Sequence, residues 1–138
     1  MRLYQGVDLV EVARLKEAYE RHEAFGEDVF TDAERAYCLK RRNPYPHFAA
    51  RFAAKEACLK AFGLGISEPG GLGGRGRLRE IEVESAASGK PTLKLSGSME
   101  RMSARKKITR FTVSLSHTLE LAVAQVILLG EDAPEEAD

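Results

Sequence analysis

Tryptophan is absent from the 138 residues, and cysteine occurs only twice, at Cys38 and Cys58. The two thiols stand in neither a C-x-x-C pair nor a metal-finger spacing. Both fall in helix-like segments among apolar neighbours, so reduced, semi-buried thiols are expected instead of a disulfide framework. No apolar run approaches the roughly 20 residues of a membrane span. The opening MRLYQGVDLVEVARLKEAYE lacks an uncharged stretch long enough for a secretory signal. These absences predict a cytoplasmic protein with no membrane partner. Net charge is missing as well: twenty-one Lys and Arg balance twenty-one Asp and Glu, so bulk charge gives no reason to expect nucleic acid. The balance hides an asymmetry. The last eight residues, EDAPEEAD, hold five carboxylates and no base; they read as a disordered tail over 131–138. Residues 1–130 then form a single domain with a basic excess of about five.

What is present is enough apolar material for a core, 43% of the chain, arranged in alternating periods. RLYQGVDLV reads as a short strand with a turn near Gly6 to Asp8. VEVARLKEAYERHE has helical spacing, with Val12, Leu15, Ala18 and Tyr19 on one face and Arg14 and Arg21 on another. Thr31 to Glu34 is a capping box opening a second helix that runs to about Lys40, and NPYP (Asn43 to Pro46) interrupts it. A third helix is predicted from about His47 to Phe62, closed by Gly63 in a left-handed conformation. SEPGGLGGRGR follows a helix and lacks a final G-K-[ST], so it reads as a connector and not as a phosphate-cradling loop. LREIEVES and KPTLKLS alternate around Ala87 to Lys90, which predicts a hairpin. A short helix begins near Ser98, and RFTVSLS and LELAVAQVILL make two more strands joined at His117-Thr118. The order of elements predicts an α+β fold with an antiparallel sheet.

Three places carry candidate chemistry. Along the third helix, which contains RFAAKEACLK, at about 100° per residue, Phe48, Phe52, Leu59 and Phe62 share an arc of roughly 80°. Lys55 lies inside that arc, Glu56 just beyond it, and Lys60 roughly 40° further on. Glu56 and Lys60 at i and i+4 are compatible with an ordinary surface pair, and Asp8 with a turn or helix cap. Together, two carboxylates from different elements beside a lysine suit a Mg²⁺ ion that bridges to phosphate. His117 is compatible with a solvated strand end or with a donor to an oxyanion. His22 and His47 read as surface or packing residues.

These segments occur in one arrangement. The sequence resembles the 4′-phosphopantetheinyl transferases, and within them the small holo-acyl-carrier-protein synthases. The likeness rests, in chain order, on GVDLVEVARL, FTDAERAYC, RFAAKEACLKAFGLGI, IEVESAASGKPTLKL and VSLSHTLELAVAQVIL. The resemblance implies transfer of 4′-phosphopantetheine from coenzyme A to a serine of apo acyl carrier protein, in support of fatty acid biosynthesis, with release of adenosine 3′,5′-bisphosphate. It implies Asp8 and Glu56 as Mg²⁺ ligands, with Lys60 neutralising phosphate charge, and these three as the catalytic set. His117 would reach the nucleotide end, at the 3′-phosphate, with Arg51, Gly63 and Pro91 around it. Two acceptors remain open for the serine proton, Glu56 and a metal-bound water. Larger two-lobed relatives resemble G-x-D-x-E; this chain has Val10 at that third acidic position, so water is expected there. A one-lobed chain implies a homotrimer with sites between protomers, His117 of one facing Asp8 and Glu56 of another. Arg14 and Arg21, on one helix face, fit an acidic carrier protein. Two further readings are a broad-range carrier-protein transferase and a non-catalytic module that binds coenzyme A or carrier. Lys55 is left with two readings: a stem that snorkels past the apolar stripe, or a member of an ion pair.

Overall fold

The computed structural model describes residues 1–64 and 76–132. Most of the Gly-rich connector and the acidic tail beyond Asp132 lie outside the described residues, so the readings of both rest on sequence alone. Strand β1 (Arg2–Glu11) leads into α1 (Val12–Arg21), α2 (Phe25–Val29), α3 (Asp32–Leu39) and α4 (Tyr45–Ala61). Strands β2 (Ile81–Ser85) and β3 (Pro91–Leu95), helix α5 (Gly97–Arg105), and strands β4 (Ile108–His117) and β5 (Leu121–Gly130) follow. The sheet order is β1-β5-β4, antiparallel throughout, and β2-β3 form a separate hairpin. The α+β antiparallel architecture is as the alternating periods predict.

Helix α4 is the axis of the molecule. Pro44 caps it and Pro46 sits in its first turn, where a missing amide costs nothing, so the helix starts two residues earlier than expected. It is not amphipathic. Thirteen of its 17 residues are buried, because the large sheet packs on one side while α1, α3 and β2 pack around the rest. It ends with Gly63 at φ 80°, the Leu64 amide donating to the Leu59 carbonyl, the left-handed closure that Gly accommodates.

One expectation at the N-terminal half is corrected. No turn interrupts Gly6 to Asp8; β1 continues through them, paired with β5 from Arg2↔Gly130 to Glu11↔Leu121. The glycine answers to packing and not to a turn. A Cβ built on Gly6 would lie 2.0 Å from the Ala57 carbonyl oxygen and 2.8 Å from the Ala61 nitrogen, so the strand backbone rests directly on α4. The short helix α2, which no periodicity announces, buries Gly26 against the Tyr19 ring. Beyond these, the capping box is present as read: Thr31 Oγ1 accepts from the Glu34 amide, and Glu34 accepts from the Thr31 amide. Both cysteines are buried and free. Among the described residues, no helix is long and apolar enough to cross a membrane.

Candidate active site

The contact between Gly6 and α4 decides which side chains meet. Residues two apart on a strand share a face, so Asp8 points to the same side as Gly6, toward the helix. Glu56 and Lys60, one turn apart on α4, lie opposite it. Lys60 Nζ donates to Asp8 Oδ1 at 2.9 Å and to the Val7 carbonyl at 3.1 Å. Lys60 therefore turns to the strand and away from a surface pair with Glu56. Glu56 is only 4% exposed, and its Oε1 has no hydrogen-bond partner among the described residues. Burial first, and then the charge of Asp8, push its carboxyl up to about 7, with Lys60 acting in the opposite sense. Two carboxylates face each other, and a single ammonium is left to balance both.

An open cavity of about 740 Å³ lies beside this trio, lined by Asp8, Val10, Arg14, Leu15, Phe52 and Glu56 among others. Val10 sits in its wall, where a third carboxylate would otherwise face the pair. Among the described residues no group of three or more acidic, histidine or cysteine side chains is disposed to hold a metal. Among the described residues, Asp8 and Glu56 are the two carboxylates that face each other here. That suits Mg²⁺, which usually takes one or two protein carboxylates and fills its other positions with water and phosphate oxygens. The orphaned Glu56 oxygen is the feature that fits such an ion best.

Lys55 resolves differently from its neighbours. It is completely buried and pairs with Glu34 at 2.6 Å, while its ammonium also donates to the Leu78 and Ile81 carbonyls. It does not snorkel. Glu34 in turn accepts from the Val83 amide at 2.7 Å. Burial pushes the lysine pKa down and Glu34 opposes the shift. The pair fastens α4, α3 and the first strand of the hairpin together.

The residues expected at the nucleotide end form a second group. Arg51, 4% exposed, donates from Nη2 to Ser85 Oγ at 3.2 Å, and Ser85 is the register partner of Pro91. His117 is exposed, and its ring meets that of His47 at 4.9 Å, nearly edge-on. His47, read from its position in the chain as a surface or packing residue, is therefore a member of this group. Its i, i+4 spacing to Arg51 was the available signal. Gly63 lies past the end of α4, its amide donating to the Lys60 carbonyl at 2.9 Å, and no described residue beyond its chain neighbours lies within 4 Å of a Cβ placed there. Arg14 and Arg21 are exposed on α1 and pair with Glu11 and Glu17 of their own chain segment; Arg14 borders the cavity and Arg21 does not.

The two groups lie on opposite sides of α4. Arg51 and Lys60 are nine residues apart, which at about 100° per residue is about 180°. The sheet separates them as well: Asp8 is on β1, His117 on β4, with β5 between. Within one chain they do not converge.

A model of the 4′-phosphopantetheinyl transferase superfamily matches residues 5–124. The holo-[acyl-carrier-protein] synthase of Chloroflexus aurantiacus is 46% identical over 132 residues, covering 91% of this chain and 96% of that protein. The corresponding synthase of Caldanaerobacter subterraneus subsp. tengcongensis is 36% identical, covering 94% and 97%. Among solved structures, the ACPS–CoA complex of Chronobacterium ammoniagenes superposes with a TM-score of 0.81 at 29% identity, covering 96% of this chain and all of that one. The Helicobacter pylori synthase in complex with coenzyme A gives 0.73 at 26% identity, covering 91% and 99%. Fold and similarity along nearly the whole length agree, and the chain belongs to the 4′-phosphopantetheinyl transferase superfamily, among its holo-acyl-carrier-protein synthases.

Proposed function

We propose that residues 1–130 form a cytoplasmic transferase domain that moves 4′-phosphopantetheine from coenzyme A to a serine of apo acyl carrier protein, in support of fatty acid biosynthesis. The serine oxygen forms a new bond to the phosphorus bearing the pantetheine arm and gives up its proton, to the Glu56 carboxylate or to water. The bond from that phosphorus to the nucleotide breaks, and adenosine 3′,5′-bisphosphate leaves with the electron pair. The observation that carries this reading is the facing pair Asp8 and Glu56 with Lys60 beside them. Asp8 and Glu56 would hold Mg²⁺, which when bound supplies charge neutralisation at the pyrophosphate. Lys60 is the resident counter-ion of Asp8. A cation between the carboxylates would free its ammonium for the phosphate oxygens, where charge accumulates on the leaving nucleotide. Arg51, Pro91 and His117 serve the nucleotide end, and Arg14 and Arg21 offer positive charge to an acidic carrier helix.

A homotrimer with sites between protomers completes this reading. Two features support it. The half-sites lie on opposite sides of α4, with Arg51 and Lys60 about 180° apart around the helix, so a single chain presents them in different directions. The face of the sheet turned away from α4 is also apolar and open: Leu3 is 56% exposed, Val7 57%, Leu9 63% and Leu121 42%. Such a surface is what an assembly of identical chains covers.

The test is intact-mass spectrometry of apo acyl carrier protein incubated with coenzyme A, Mg²⁺ and the protein. A gain of one phosphopantetheine, lost with Glu56→Ala and with a chelator, is the expected result. No gain on a carrier that another synthase modifies would overturn the assignment and favour a binding module. A gain that survives Glu56→Ala would keep the activity and discard the metal-ligand role.

A further inference from the structure

Tyr37, on α3, touches neither carboxylate and has no part in the transfer described above. It nevertheless lies at the centre of the second group. The guanidinium carbon of Arg51 is 3.8 Å from its ring centroid and that of Arg41 is 4.3 Å. His47 meets the same ring edge-on at 6.3 Å, and His47 carries the contact to His117. Four elements thus converge on one aromatic side chain: α3, the segment after it, α4 and, through the two histidines, β4.

The convergence is unusual in its charge. Among the described residues, neither Arg41 nor Arg51 makes an ion pair with a carboxylate. Arg51 is almost wholly buried, yet its Nε has no hydrogen-bond partner among the described residues. The charged and ionisable groups acting on His47 are His117, Arg41 and Arg51, with no acid among them. Buried guanidinium groups are ordinarily paired. Here the aromatic face takes the place of a carboxylate, holding the cations without neutralising them. A cluster kept positive in this way is suited to an anion supplied from outside.

We propose that Tyr37 is a positioning residue for the nucleotide end of coenzyme A, its ring holding Arg51 and Arg41 where they and His117 meet the 3′-phosphate. The proposal rests on the placement of the nucleotide end given above and adds a consequence. Tyr37 sets the preference for coenzyme A over its 3′-dephospho form without touching the reacting phosphorus. Steady-state transfer to apo acyl carrier protein, with each of the two donors, tests it. Tyr37→Leu is expected to raise KM for coenzyme A roughly tenfold, leave kcat within about threefold, and change little for 3′-dephospho-coenzyme A. Tyr37→Phe keeps the ring face and is expected to hold KM within about twofold of the parent chain. Equal losses with both donors, or a fall in kcat at unchanged KM, would overturn the role, since a merely structural defect acts on both donors alike. Arg51→Ala separates the two levels of the argument. If it leaves the preference intact, the 3′-phosphate is not held by this cluster. If it removes the preference while Tyr37→Leu does not, only the role of Tyr37 falls.

Discussion

Glu56 shows most directly how position changes a side chain's chemistry. Its carboxyl is pushed up to about 7, whereas an unfolded glutamate ionises near the usual carboxylate range. The folded state therefore holds a proton that the unfolded chain releases. The stability this contributes is complete below the unfolded value and is lost as pH rises through 7. Glu56→Gln removes that dependence. In chelator, the variant is expected to be about 1–3 kcal/mol more stable than the parent at pH 8, with most of the difference gone at pH 5, by denaturant unfolding. A difference that does not vary with pH would refute the account. Gly6 acts at the same scale. Gly6→Ala forces the strand away from the Ala57 carbonyl and is expected to cost about 1–3 kcal/mol. It would also raise the Mg²⁺ needed for half-maximal transfer roughly tenfold. Unchanged Mg²⁺ dependence in a folded variant would mean that Gly6 does not set the carboxylate geometry. The residue types at positions 8, 56 and 60 were legible in the sequence. The unpartnered oxygen of Glu56 was not, because partnering depends on what surrounds a group in three dimensions.

At the scale of elements, Lys55 and Glu34 join α4, α3 and β2 in a dry environment. Breaking such a pair strands a charge, so Lys55→Met is expected to cost about 3–5 kcal/mol. The double variant Lys55→Met, Glu34→Gln should recover part of that loss, because no unpaired charge remains buried. Strictly additive losses in a double-mutant cycle would show that the two side chains are not coupled. The capping box was readable because it is local: Thr31 and Glu34 lie three apart, and their hydrogen bonds need no other part of the chain. The buried state of Lys55 was not readable, since the helical arc that contains it gives the direction of the side chain and not the identity of its partners. The continuous β1 was missed for a related reason. A glycine in a strand marks either a turn or a close backbone approach, and only the position of α4 distinguishes them.

At the scale of the whole molecule, the open apolar sheet face and the divided site make two predictions. Leu9→Lys places charge on that face, on the edge strand β1, and is expected to give a smaller species in sedimentation velocity, with transfer lost. An assembly that keeps its size would locate the protomer contact elsewhere. The second prediction uses complementation. Arg51→Ala and Glu56→Gln each disable one half-site. If every site takes its halves from two protomers, co-expressed mixtures regain on the order of a quarter of the parental activity by random assembly. If each site lies within one chain, they regain none.

The sequence by itself determined the order of the strands and of the helices other than α2, the approximate ends of most of them, and the acids, lysine and histidine available for chemistry. These follow from periodicity, capping and turn preferences, which act over a few residues. The tertiary structure alone decided that β1 lies on the backbone of α4, that Lys60 reaches Asp8 while Lys55 is buried against Glu34, and that Tyr37 gathers two arginines. Each of those contacts joins segments far apart in the chain, and their energies come from burial and from charges brought close together, quantities that do not exist until the chain has folded.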